Sequence, residues 1–227
     1  MGNLLAVKRH ILALLSAVAL ASCGSDQPAG TAYLTGVAQQ VLGTLGQSGK
    51  AGDVAAQPVP DFALMDLNQP LMVARIASRN AVGGLSVVGR NQGFVTWQTG
   101  DGISLTLKSG VLASTRGLGA DLMSADIAEV VPAVQTGGGT ARRVHRYLDG
   151  ENQLRPLTFV CDIETTGSGT INVLGAARST REVTETCTSP DLIFTNVYWI
   201  GRDGLTWKTR QFIGVEIGSI EIEWAYH

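Results

Sequence analysis

From Asp61 to Tyr226 the chain consists of short apolar and β-branched runs, separated by Gly, Asn and Asp at roughly ten-residue intervals, the spacing of antiparallel hairpins. The runs predict strands at Leu71–Ser78, Gly84–Val88, Phe94–Thr99, Ile103–Lys108 and Val111–Thr115. A second set follows at Arg142–Leu148, Leu157–Thr165, Thr170–Leu174, Arg181–Thr188, Ile193–Ile200, Leu205–Ile213 and Ile217–Tyr226. Between them, Asp121–Val131 reads as a short helix and the glycine run in Thr136–Thr140 as a mobile loop. The expected fold class is mainly β: an antiparallel meander forming a barrel-like or sandwich domain.

Two segments echo each other. Trp97 to Leu105 and Trp199 to Trp207 share a Trp, an Asp-Gly pair and the alternation after it. A three-residue loop ending in Gly at Gly100–Gly102 pairs Trp97 with Leu105 and Val95 with Leu107, because Gly reaches the left-handed conformation without a Cβ clash. Those four then share one face with Ile103, and Thr96, Gln98, Ser104 and Thr106 share the other. The same loop at Arg202–Gly204 sets Trp199 opposite Trp207 and predicts a largely buried indole pair.

Upstream of the β domain the pattern changes. Leu34, Val37, Ala38, Val41, Leu42 and Leu45 recur at helical spacing within Thr31–Leu45, interrupted by Gly36 and Gly43. Gly46–Pro60 has no periodicity and reads as a linker, so the folded domain is expected to span residues 61–227. At the start, Lys8 and Arg9 precede an uncharged apolar run, Ile11–Ala21, which is about half of the roughly 20 residues a spanning helix needs. Residues 1–22 therefore read as a signal peptide. Leu20-Ala21-Ser22-Cys23 resembles the bacterial lipobox, which makes Cys23 the acylated first residue of a tether over 23–60. Gly24, rather than Asp, follows it and points to the periplasmic side of the outer membrane.

Charge narrows the partners. Of 17 basic residues, Lys8 and Arg9 leave with the leader, so 15 face 19 acidic ones and the remaining net charge is −4. This balance excludes a nucleic-acid partner, which is bound by neutralising many phosphates. With Cys23 acylated, Cys161 and Cys187 remain. An oxidising compartment permits a disulfide between them, and two separate buried thiols are the competing reading.

Gly93-Phe-Val-Thr-Trp97, Asp101-Gly102, Gly110 and Thr115-Arg-Gly-Leu-Gly119-Ala-Asp-Leu122 resemble the signature of the YjbF/GfcB family of bacterial lipoproteins. Tyr198-Trp199, Asp203-Gly204, Gln211 and Cys23 extend the resemblance. It implies a mainly antiparallel, barrel-like fold and a place in exopolysaccharide or group 4 capsule production and export. It also implies two partners: a large outer-membrane protein of the YjbH type and a periplasmic protein of the YjbG/GfcC type. No catalytic residues come with the family.

Direct chemistry finds little. His145 is the one internal histidine after the leader, no Gly-x-Ser-x-Gly elbow accompanies it, and it reads as a strand residue on a solvated face. No Cys-x-x-Cys, His-x-x-x-His or acidic calcium loop suggests a metal or cofactor. Asp162 and Glu164 share a strand face opposite Cys161, as a glycosidase pair or as the wet side of a sheet. Tyr198, Trp199 and Trp207 offer aromatic faces for sugar rings, or filling for a core. Arg142, Arg143, Arg146 and Arg155 form a basic hairpin suited to an acidic polysaccharide or a protein partner. The expectation is a non-enzymatic accessory lipoprotein, with glycan binding and glycan cleavage as alternatives.

Overall fold

The computed structural model describes residues 70–225. The leader, Cys23, the expected helix at Thr31–Leu45, the linker to Pro60 and Tyr226 lie outside them. Among the described residues twelve strands form one antiparallel sheet. They are β1 (Leu71–Ile76), β2 (Ala81–Asn91), β3 (Phe94–Gln98), β4 (Ser104–Lys108), β5 (Val111–Arg116) and β6 (Ser124–Asp126), then β7 (Gly138–Leu148), β8 (Leu154–Val173), β9 (Ala176–Thr188), β10 (Ile193–Gly201), β11 (Thr206–Gly214) and β12 (Gly218–Trp224). The sheet order is β5-β4-β3-β2-β1-β12-β11-β10-β9-β8-β7-β6. Each strand except β5 and β6 thus lies between two others, and those two end strands approach each other where Thr115 N donates to Leu122 O at 2.9 Å. The sheet nearly closes into a barrel.

Alternation places the core. Met72, Ala74 and Ile76 of β1, Leu105 and Leu107 of β4, and Ile220, Ile222 and Trp224 of β12 point inward and are buried together. A second cluster joins Phe159, Cys161 and Ile163 of β8 to Val183 and Cys187 of β9 and Phe194, Tyr198 and Ile200 of β10. The first hairpin has the register that its sequence predicts: Trp97 faces Leu105 and Val95 faces Leu107. Thr99 N donates to Ile103 O across the loop, and Gly102 adopts φ 92°.

The helix lies further along than Asp121–Val131. Residues 124–126 are β6, and α1 spans Val130–Thr136. Pro132 fits its first turn, where the missing N–H has no intrahelical acceptor. Gly137 ends it in the left-handed conformation, φ 85°, with its N–H on Ala133 O at 2.8 Å. The expected mobile loop at 136–140 is therefore a helix end followed directly by β7. The expected strands Leu157–Thr165 and Thr170–Leu174 are one continuous strand, β8, because β9 pairs with it from Val160 to Val173, through the Gly-Ser-Gly stretch.

The second hairpin departs from the first. Gly201 N donates to Leu205 O and Ile200 pairs with Thr206, but the register then shifts and Trp199 pairs with Lys208. Trp207 is the extra residue of a bulge, so the expected Trp199–Trp207 opposition is corrected, and both indoles are half-buried rather than in the core. The reason is space at Gly201: a Cβ there would lie 2.7 Å from Trp207 Nε1, so the indole occupies the volume that a side chain would fill. Arg178 of β9 covers the indole, its guanidinium carbon 3.9 Å from the ring centroid. Trp207→Ala should lower stability by about 1–3 kcal/mol, less than the 3–5 kcal/mol of a fully buried aromatic. Urea denaturation checks this, and a larger loss would return the residue to the core.

Candidate functional site

The interior is apolar only in part. Arg143 of β7 and Glu185 of β9 are 1% and 0% exposed, yet each occupies an inward position of its strand. Arg143 Nε and Nη2 donate to Glu185 Oε1 and Oε2 at 2.8 and 3.0 Å. Asn196 Nδ2 and the Tyr198 hydroxyl, both from β10, donate to the same Oε2 at 2.8 and 2.7 Å. Asn196 Oδ1 in turn accepts from Phe212 N at 2.7 Å. A buried charge pair of this kind is tolerable only when its remaining bonding capacity is met, and no side-chain nitrogen or oxygen of these residues is left unpartnered.

The network continues through His145, which has no exposed surface and packs between Phe159 and Phe194. The expected solvated face for His145 is corrected: β7 puts it on the same inward side as Arg143. Tyr147 donates its hydroxyl proton to Ile213 O at 2.7 Å, so the Tyr147 oxygen must accept from His145 Nδ1, 2.9 Å away. That leaves Nε2 as the acceptor for Arg143 Nη1 at 3.3 Å. One neutral tautomer is thereby selected. Burial, and then the Arg143 charge, hold the imidazolium form of His145 well below its ordinary pKa. Burial alone lowers the Arg143 pKa, but Glu185 and Tyr198 reverse this and raise it above its ordinary value. The Tyr198 hydroxyl is pushed well up by burial and by Glu185, so it remains a donor.

Cys161 and Cys187 stand directly opposite each other on β8 and β9 and form a disulfide, with Cα atoms 4.0 Å apart. Cys187 Sγ lies 3.3 Å from Glu185 Oε1. The three residues cluster as metal ligands might, but thiolates rather than bonded sulfurs bind metals, and the carboxylate already accepts from Arg143, Asn196 and Tyr198.

Of the seven residues offered for a possible glycan or partner surface, Arg143 is corrected to the interior and Tyr198 takes its alternative as core filling there, with Arg143 Nη2 donating to Tyr198 Oη at 3.3 Å. Arg142 and Arg155 are exposed and Arg146 is half-buried. Arg155 Nε pairs with Asp149 Oδ2 at 2.6 Å. Trp199 lies on the outer face, its Nε1 donating to Glu182 Oε2 at 2.9 Å with Lys208 Nζ 5.7 Å from the ring centroid. Lys208 also bonds Glu221 and Glu223, and Arg75 bonds Glu223, so this outer face is a mixed-charge band. Asp162 and Glu164 are both exposed on the outer side, with Thr140 Oγ1 donating to Asp162 at 3.1 Å.

The family model described as group 4 capsule polysaccharide lipoprotein gfcB, YjbF, matches residues 55–224. The chain belongs to the YjbF family. The crystal structure of the hypothetical lipoprotein YmcC from Escherichia coli (K12) has the same fold, with a TM-score of 0.64 and 20% identity over 75% of this chain and 90% of that one. No curated protein matches the chain.

The Thr115–Leu122 stretch of the YjbF resemblance builds the barrel's seam. Asp121 accepts from Gly117 N at 2.9 Å, Leu118 N at 3.2 Å and the Thr115 hydroxyl at 2.7 Å, and Leu122 N donates back to Thr115 Oγ1 at 3.0 Å. The loop so formed drives Leu118 and Leu122 into the core between the two end strands. Gln211 of β11 reaches across the interior to β5, accepting from Leu112 N and donating to Gly110 O, each at 2.8 Å. Its side-chain amide satisfies backbone groups on β5 as a neighbouring strand would. Glu185, Asn196 and the linking role of Gln211 were missed by sequence reasoning. The available signal was phase: Glu185 alternates with Val183 and Cys187, and Asn196 with Phe194 and Tyr198, so each is polar at a position where its strand is apolar.

Two measurements check the network. Glu185→Gln leaves Arg143 buried without its counter-charge and should cost about 3–5 kcal/mol in urea denaturation. Because the folded-state pKa of His145 is depressed, its stabilising contribution is complete above the unfolded value near 6.5 and falls as pH drops below it, by about 1.4 kcal/mol per unit. The groups facing it are Arg143 and Tyr147, with Glu185 beyond Arg143. Unfolding midpoints from pH 7.5 to 5 should show that slope, and His145→Gln should flatten it.

Proposed function

We propose that this protein is a non-enzymatic accessory in exopolysaccharide or capsule assembly or export, anchored by lipid on Cys23 to the periplasmic side of the outer membrane. The observation that carries the reading is the interior. The groups there that could do acid–base chemistry, Arg143, His145, Glu185 and Tyr198, are buried and engaged with one another. Membership of a family described as a group 4 capsule polysaccharide lipoprotein supplies the process. Signal peptide, lipidated tether and β domain give a mechanism of placement: the tether raises the domain's effective concentration beside a membrane partner. An outer-membrane protein of the YjbH type and a periplasmic protein of the YjbG/GfcC type are the proposed partners.

Glycan binding is the second reading, and the half-exposed Trp199 favours it. Trp207 does not, since its ring lies between Gly201 and the Arg178 guanidinium. Co-purification of the full-length protein separates the two readings: the accessory role requires the outer-membrane partner, and recovery of the exported polysaccharide alone, lost in Trp199→Ala, replaces it with glycan binding. Lipidation is tested by Cys23→Ala, which should abolish fatty-acid labelling and membrane retention together. Retention of both would remove the anchor.

A further inference from the structure

β7 pairs with β8 only as far as Glu164, because the chain before Gly138 turns into the end of α1. β8 runs on through Thr165–Val173 with β9 on one side and, among the described residues, no strand on the other. Ladder alternation identifies the unused groups. Val173 and Ala176 flank the two-residue turn Leu174–Gly175, whose φ values are 47° and 89°. That closing pair exchanges backbone bonds, as do Ile171 and Gly169 with their partners on β9. Ser168, Thr170 and Asn172 therefore turn their N–H and C=O groups to the open side. Thr165 to Thr170 are all exposed.

Such edges are normally blunted by charge, proline or cover. Thr165–Val173 contains no charged residue and no proline, and its single bulge lies at its start. The edge is nonetheless anchored. Val173 is 2% exposed, Leu174 packs on Leu71 and Val73, and Leu174 N donates to Glu223 Oε2 at 3.2 Å. Arg178, on the paired strand, stacks on Trp207. Among the described residues the edge past Thr165, whose hydroxyl donates to Gly137 O at 2.9 Å, carries no added strand and is held at its tip, and a held edge is pre-organised for a partner.

We infer that Thr165–Val173 is a docking edge for an extended segment of another protein, which adds to β8 as a further strand. Donor and acceptor pairs recurring every second residue, about 6.8 Å apart, match a polypeptide backbone. Gly167 and Gly169 specify the side chains. Nothing lies within 4 Å of the place a Cβ would take at Gly169, and at Gly167 only Glu182 Cβ does, at 3.9 Å. A segment with bulky apolar or aromatic residues at alternate positions covers these gaps. A second copy does so poorly, because antiparallel pairing about Gly169 sets glycine against glycine with no side-chain contact between the strands.

The inference rests on the accessory reading only for which protein supplies the segment. Benzoylphenylalanine placed singly at Ser168 or Thr170 of the full-length chain, with exposed Val215 as the control position, maps the contact by crosslinking in the producing cell. The two edge positions should yield adducts two residues apart in one segment of one protein, with none from Val215. Thr170→Pro, read from the Ser168 probe, should cut the yield about tenfold, the loss of one or two hydrogen bonds, without moving the thermal midpoint. Ser168→Lys, read from the Thr170 probe, should act likewise. Scattered adducts, adducts to polysaccharide or to a second copy's Thr165–Val173, no adduct, or yields unchanged in both edge variants would overturn the docking edge. Stepped adducts on a protein outside polysaccharide export would keep the edge and overturn the accessory role.

Discussion

The buried pair of Arg143 and Glu185 is the constraint around which the second half of the barrel is arranged. Each charge is tolerable inside only because the other, with Asn196, Tyr198 and His145, completes its bonding. Those partners sit on β7, β9 and β10, and Tyr147 and Asn196 carry the connection to backbone groups of β11. A slip of one residue in β9 would turn Glu185 outward and strand the guanidinium, so the network selects register where the apolar pattern alone is weaker. The adjacent disulfide ties β8 to β9 at the same level of the sheet.

Closure depends on a second set of polar groups. An open β sheet has two unpaired edges, and here β5 and β6 are brought together by the Thr115–Leu122 loop, while the Gln211 amide of β11 holds the start of β5 from across the interior. Two parts of the family resemblance, Thr115–Leu122 and Gln211, are accounted for by these tasks. Asp121, which might be mistaken for an active-site acid, is occupied by two backbone N–H groups and a hydroxyl within its own loop.

The interior polar groups are bonded to one another, and the strand extensions lie on the outside. There β8 and β9 extend past β7 and β10 as an arm whose tip returns to the outer side of β1 and β12. The bulge at Trp207 belongs to this arrangement, since it sets the indole over Gly201 and under Arg178. A residue that looked like part of a sugar platform is thus a clasp for the arm. The bonded interior and the edge of β8 anchored at its tip are the features on which the proposed accessory role draws.

By itself the sequence determined the fold class, most strand positions and the register of the Trp97 hairpin, because period-two alternation and a Gly-ended loop are local properties. It also determined family membership, through residues that stand close together in the chain. What only the tertiary structure decided was the side on which polar residues lie and what they meet. Arg143, His145 and Tyr198 look like surface groups one at a time, and their burial follows from partners 42 and 55 residues from Arg143. The Trp207 bulge likewise depends on Arg178 of another strand, and the Gly-rich middle of β8 became strand because β9 lies beside it. A polar side chain is stable inside only when distant segments supply its bonds, and that coincidence exists only after the chain has folded.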